Sequence, residues 1–93
     1  MTINVQRLHG FDLNSLLTFF LIYQEHSVSR AALRLNVTQP AVSNTLAKLR
    51  IQFRDPLFIR NGRTLVPTRR AQTVADELAP AFMHIETALG HLH

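Results

Sequence analysis

The sequence predicts a mainly α fold: three helices, a two-stranded hairpin that leans on them, and a long C-terminal helix reaching beyond the compact part. Three observations lead there. Apolar residues recur at intervals of three and four in successive stretches between residues 13 and 53, the period of helices with one buried face. An Asn61-Gly62 pair lies between two short apolar runs, a strong hairpin signal. From Val74 to Leu92 the apolar residues Val74, Leu78, Phe82, Ile85, Leu89 and Leu92 step by four, four, three, four and three, the pattern of a coiled-coil seam.

Size and composition limit what these elements can form. The 93 residues, 46% of them hydrophobic and none of them cysteine, suit one compact domain with a projecting element and no disulfide. So small a core gains from association with a second copy. Ten Lys and Arg against six Asp and Glu give a net charge of +4, compatible with a polyanionic partner. Only Lys48 of the ten is a lysine, and the planar forks of the arginines match phosphates and base edges. The longest apolar run, Leu16 to Tyr23, is interrupted by Thr18 and falls short of the ~20 residues that cross a bilayer, so no membrane is expected as partner. Met1 to Gly10 reads as a polar lead-in without the features of a secretory signal, which makes a cytoplasmic address the expectation.

Element by element, Asp12 is the expected N-cap of a first helix, Leu13 to His26, whose broad apolar face marks it as scaffold. Ser27 or Ser29 caps a short second helix carrying Ala31, Ala32 and Leu35 and stopping near Asn36, with Val37 expected to plug the corner. Thr38 caps a third helix, 39–53, which tolerates Pro40 because it lies in the first turn. Val42, Leu46, Leu49 and Phe53 form its buried stripe, and Gln39, Ser43, Asn44, Thr45 and Lys48 its polar face. Asp55 and Pro56 end the helical pattern. The hairpin occupies 57–66, with Leu57, Phe58 and Ile59 outbound, a turn at Asn61 and Gly62, and Leu65 and Val66 returning to Pro67. Thr68 caps the last helix, Arg69 to Leu92, about 36 Å long at 1.5 Å per residue, with a bend or break expected at Pro80.

A short helix, a three-residue turn and a longer helix with a polar leading face form the arrangement that places one helix in a DNA major groove, although helical hairpins with polar faces also serve as plain packing units. The residues also carry a specific likeness. Ser-Val-Ser-Arg-Ala-Ala at 27–32, Leu-Asn-Val-Thr-Gln-Pro-Ala-Val-Ser at 35–43, and Pro-Leu-Phe-Ile-Arg followed by Asn-Gly-Arg at 56–63 resemble the signature of LysR-type transcriptional regulators. The Pro-Thr-Arg-Arg-Ala turn into the last helix, and Pro80, are more similar to the nodulation-regulator branch. The resemblance implies a bacterial winged helix-turn-helix over 1–67 and a linker, or dimerisation, helix over 68–93, with the effector-binding domain absent. It further implies an interrupted dyad of double-stranded DNA as partner, a homodimer paired through the linker helix, tetramers for full-length proteins, and no cofactor.

The same resemblance assigns base contacts to Gln39, Pro40, Ser43 and Asn44. Their chemistry agrees: Gln39 can pair bidentately with adenine, Pro40 can touch a thymine methyl, and Ser43 can reach base or phosphate. Asn44 stands where many family members carry Arg, and adenine is its chemical match. Backbone contacts fall to Ser27, Ser29, Arg30, Thr38 and Lys48, and on the wing to Arg60 and Arg63, with the wing lying on the backbone or in the minor groove. The dimer interface is expected at Val74, Leu78, Phe82, Ile85 and Leu89. Set against these roles, Thr38 and Gln39 could serve only as helix caps, Arg30 only as half of a surface ion pair, Arg34 only as a solvated cation, and Arg63, a weaker candidate than Arg60, only as a mobile solvated tip. Arg54, Arg69 and Arg70 suit a wider basic surface or helix-end roles equally well.

The histidines at 9, 26, 84, 91 and 93 have no zinc-ligand spacing, and no nucleophile-base pair, carboxylate pair or Gly-rich loop suggests catalysis. A non-enzyme is expected. Two other readings compete with sequence-specific binding: an architectural protein held by phosphates alone, and a protein-interaction module whose binding would hardly respond to salt.

Overall fold

In a computed structural model that describes Met1 to His93, the elements run α1 Val5–His9, α2 Leu13–Glu25, α3 Val28–Leu35, α4 Gln39–Phe53, β1 Phe58–Asn61, β2 Thr64–Pro67 and α5 Arg69–Leu92. Every helix begins at a side-chain cap. Asp12 accepts from the Asn14 N–H, Ser27 from Arg30, Thr38 from Ala41 and Thr68 from Ala71, each worth about 1 kcal/mol over an alanine. Of the two candidate serines, Ser27 is thus the cap of α3. Helices α2, α3 and α4 close on left-handed residues at His26, Asn36 and Arg54.

The core lies between α2, α3, α4 and the base of the hairpin. Phe19 of α2 is fully buried, with its ring centroid 5.4 Å from Phe58 and 6.4 Å from Phe53. Ala31 and Ala32 of α3 are buried in the core that α3 shares with α2 and α4, where small side chains let helices approach closely. On α4 the stripe Val42, Leu46 and Leu49 is buried and Phe53 partly so. β1 and β2 pair antiparallel, Phe58 opposite Pro67, Ile59 opposite Val66, Arg60 opposite Leu65 and Asn61 opposite Thr64. Phe58 and Leu65 point inward, and a bond from the Leu65 N–H to the His26 carbonyl (3.0 Å) ties the hairpin to the end of α2. α5 leaves this core and gives the molecule its long dimension of 45 Å.

Several expectations are corrected. The lead-in contains α1, a five-residue helix capped by Asn4; it buries no side chain, so it leaves no core-facing pattern in the sequence. The first long helix ends at Glu25, because His26 turns left-handed. Val37 does not plug the corner: it is 49% exposed, at the rim of a shallow cleft beside Leu35, while its N–H closes α3 on the Ala32 carbonyl. The hairpin turn is Gly62-Arg63 rather than Asn61-Gly62. Asn61 still pairs with Thr64, and Gly62, at φ +66, takes the first loop position, where a positive φ is needed. Leu57 lies outside the strand. α5 runs unbroken through Pro80; both Pro80 and Asp76, whose carbonyl loses its helical donor, are exposed, so water can replace that bond.

Candidate nucleic-acid interface

The leading face of α4 is built by its cap. Thr38 Oγ1 accepts the Ala41 N–H at 3.3 Å, and Thr45, half-buried, turns its hydroxyl back onto the Ala41 carbonyl at 3.1 Å. Thr45 thereby leaves the polar face, and capping falls to Thr38 rather than Gln39. With Val42, Leu46 and Leu49 held in the core, helical geometry directs Gln39, Pro40, Ser43, Asn44 and Lys48 outward, and all five are exposed. No fold of the chain covers them.

The flanking cations divide into engaged and free. Arg34, expected to be solvated, bonds Glu25 at 3.2 Å and Gln24 at 3.0 Å, forming the one salt bridge of the structure. The surface ion pair weighed for Arg30 therefore belongs to Arg34, and Arg30 is exposed and free to meet an external anion. Its backbone N–H is held at 3.2 Å by Ser27 Oγ, itself 3.0 Å from Ser29 Oγ, so the two hydroxyls sit together at the start of α3.

On the hairpin, Arg60 shares the inward face with Phe58 and Leu65 by strand alternation. It lines a cleft of about 260 Å³ together with Val28, Ser43, Leu46, Arg50 and Leu65. One proposed wing contact and one proposed base contact, Arg60 and Ser43, thus face a common space between α4 and the hairpin. Arg63 stands at the second loop position, exposed. The sequence alone did not single out Arg50, whose guanidinium donates from Nε to the Pro56 carbonyl at 2.7 Å and from Nη2 to the Phe58 carbonyl at 3.1 Å. Its position next to the apolar stripe was the only available signal.

Arg69 and Arg70 belong elsewhere. In the first turn of α5 their charge opposes the helix dipole, and they line a groove of about 680 Å³ whose apolar floor is Phe11, Leu16, Phe53, Val74 and Leu78. Beside it, Asp55 accepts from the Thr68 hydroxyl at 2.7 Å and the Leu57 N–H at 2.8 Å. These two bonds, with a smaller contribution from Arg70, hold its carboxyl below the usual carboxylate range. Of the expected dimer residues, Val74, Leu78 and Phe82 are partly buried against their own chain, Phe82 lying 5.6 Å from the Phe20 ring; Ile85 and Leu89 are exposed.

An eight-residue helix, the turn Asn36 to Thr38, a fifteen-residue helix with an uncovered polar face and a hairpin beside it define a helix-turn-helix with a wing. Residues 13–72 match the family described as bacterial regulatory helix-turn-helix protein, lysR family. The chain belongs to that family. It is 45% identical over 83 residues to nodulation protein D 2 of Bradyrhizobium elkanii, an alignment covering 89% of this chain and 25% of that protein. A probable transcriptional regulator from Pseudomonas aeruginosa superposes with a TM-score of 0.88 at 35% identity, covering 92% of this chain and 29% of the other. The BenM DNA-binding domain crystallised with catB site 1 DNA shares the fold, with a TM-score of 0.79 at 20% identity over 88% of this chain and 92% of that one. The chain spans about a quarter of the length of the nodulation protein it matches.

Proposed function

We propose that this chain binds double-stranded DNA by sequence, as the N-terminal domain of a dimeric LysR-type transcriptional regulator acting in the bacterial cytoplasm and catalysing no reaction. Residues 1–67 form the reading unit and 68–93 the helix that pairs two copies. α4 enters the major groove, where Gln39, Pro40, Ser43 and Asn44 meet base edges. Ser27, Ser29, Arg30, Thr38 and Lys48 hold phosphates around it, and the wing brings Arg60 and Arg63 to the backbone or the minor groove. Val74, Leu78, Phe82, Ile85 and Leu89 supply the seam between protomers. The observation that carries this reading is the leading turns of α4: polar, exposed and anchored from behind by a buried stripe, with a free arginine, Arg30, on the preceding helix. The nodulation-protein relative and the BenM domain solved with DNA support it by likeness.

Selection of bound fragments from random duplex DNA tests it. The expected result is one short element recovered twice about a dyad, with half-site centres one helical turn or a multiple apart, about 34–36 Å per turn. A recovered pool with no common element, bound with an affinity set by salt alone, would favour an architectural protein instead.

A further inference from the structure

The chain passes from α4 into the wing through a strained elbow at Leu57. Its φ is +65, and the Phe58 N–H reaches back to the Pro56 carbonyl at 2.7 Å, closing a γ-turn of the rarer, positive-φ kind. A leucine adopts such a backbone only when its surroundings over-determine it. Here they do. The side chain is fully buried, Asp55 Oδ2 accepts the Leu57 N–H, and the Thr68 N–H donates to the Leu57 carbonyl at 2.8 Å.

The two carbonyls on either side of Leu57 are gripped by Arg50, from Nε to Pro56 and from Nη2 to Phe58. Arg50 belongs to α4, so one rigid fork joins the recognition helix to the first residue of β1. Two residues further along that strand Arg60 emerges on the same face and enters the cleft it shares with Ser43. The angle at which the wing leaves α4 therefore determines where Arg60 stands relative to the reading face.

We propose that Arg50 is a positioning residue: its bidentate grip on the elbow sets the wing against α4 and, through the wing, sets Arg60 against DNA. The second half rests on the DNA-binding reading above; the first does not. A lysine in its place keeps the charge but is a single point donor that cannot span both carbonyls.

Two measurements on the full chain test it. The chain has no cysteine, so spin labels at Ala47→Cys on α4 and Val66→Cys on β2, both exposed sites, report the helix-to-wing distance without DNA. The distribution should be narrow in the parent and in Arg60→Ala, and broad in both Arg50→Ala and Arg50→Lys. An unchanged distribution in both Arg50 variants overturns the proposal whatever the chain binds. The second measurement is affinity for the selected duplex. Arg50→Ala, Arg50→Lys and Arg60→Ala should each weaken binding about tenfold, and Arg50→Ala with Arg60→Ala together no more than about twofold beyond either single change, because both remove one contact. A product of the two losses, about a hundredfold, or parent affinity in Arg50→Lys, overturns the coupling to Arg60. A parent chain without sequence preference sinks the DNA reading, while a broadened distance in the Arg50 variants still upholds the grip on the wing.

Discussion

α4 and α5 carry the same kind of apolar stripe, and the fold covers the two to very different extents. On α4 the stripe is covered by its own chain: Val42 and Leu49 are essentially fully buried and Leu46 nearly so. On α5 the cover fades with distance from the core, from half-buried Val74 and Leu78 to Ile85, Leu89 and Leu92 at 40, 51 and 80% exposure. A period of three and four residues therefore states that a helix has a greasy face, not which chain covers it. For α4 the cover leaves the opposite, polar face free, and that is the face proposed to meet DNA; for α5 the exposed stripe is the surface proposed to pair with a second copy.

Substitutions in the two stripes should separate these roles. The largest effect is expected at Leu49→Ala, which empties a fully buried site and should lower unfolding free energy by about 2–5 kcal/mol in urea titrations. A loss below about 1 kcal/mol would place the core elsewhere. Ile85→Asp should do the reverse, leaving the helical signal of the protomer largely intact while dissociating the proposed dimer, since pairing would bury an uncompensated charge. Sedimentation that still finds a dimer would remove the seam from the account.

The junction between the two helices gives smaller effects. Arg54 closes α4 at φ +53, a conformation that costs a side-chain-bearing residue about 1 kcal/mol or more, so Arg54→Gly should raise the melting temperature by a few degrees. Asp55 joins the end of α4 to the cap of α5, and its bonds to Thr68 and Leu57 depress its pKa. Because the folded value is the lower one, the stabilisation is complete above about pH 4 and is lost as pH falls through the folded value. Asp55→Asn should flatten the stability profile in that acidic window, which acid titration followed by circular dichroism can measure. An unchanged profile would mean that the carboxylate bonds contribute nothing.

Much of this architecture was legible in residue order. Asp12, Thr38 and Thr68 announce helix starts because a short polar side chain before an apolar period has few other uses, and Val42, Leu46 and Leu49 announce a buried face. The hairpin was legible as an element but off by one residue at its tip, since Asn-Gly and Gly-Arg both offer a glycine and only the pairing of Asn61 with Thr64 decides between them. α1 was not legible, because a helix that buries nothing follows local bonding rather than a pattern. The exposed polar face of α4 could be listed from sequence because exposure follows from the position of the stripe; its proposed reading role is a separate claim. Arg50 and Arg34 could not be assigned, since their partners lie six to ten residues away and depend on how loops turn.

The central claim, that the start of α4 reads bases while its surroundings only hold the backbone, is tested most directly by comparing Gln39→Ala with Arg30→Ala on matched and scrambled duplexes. Gln39→Ala should cost about 1–3 kcal/mol on the matched site, relax preference at one base pair and leave scrambled DNA unaffected, whereas Arg30→Ala should weaken every duplex alike. Equal losses from both variants on all duplexes would contradict it.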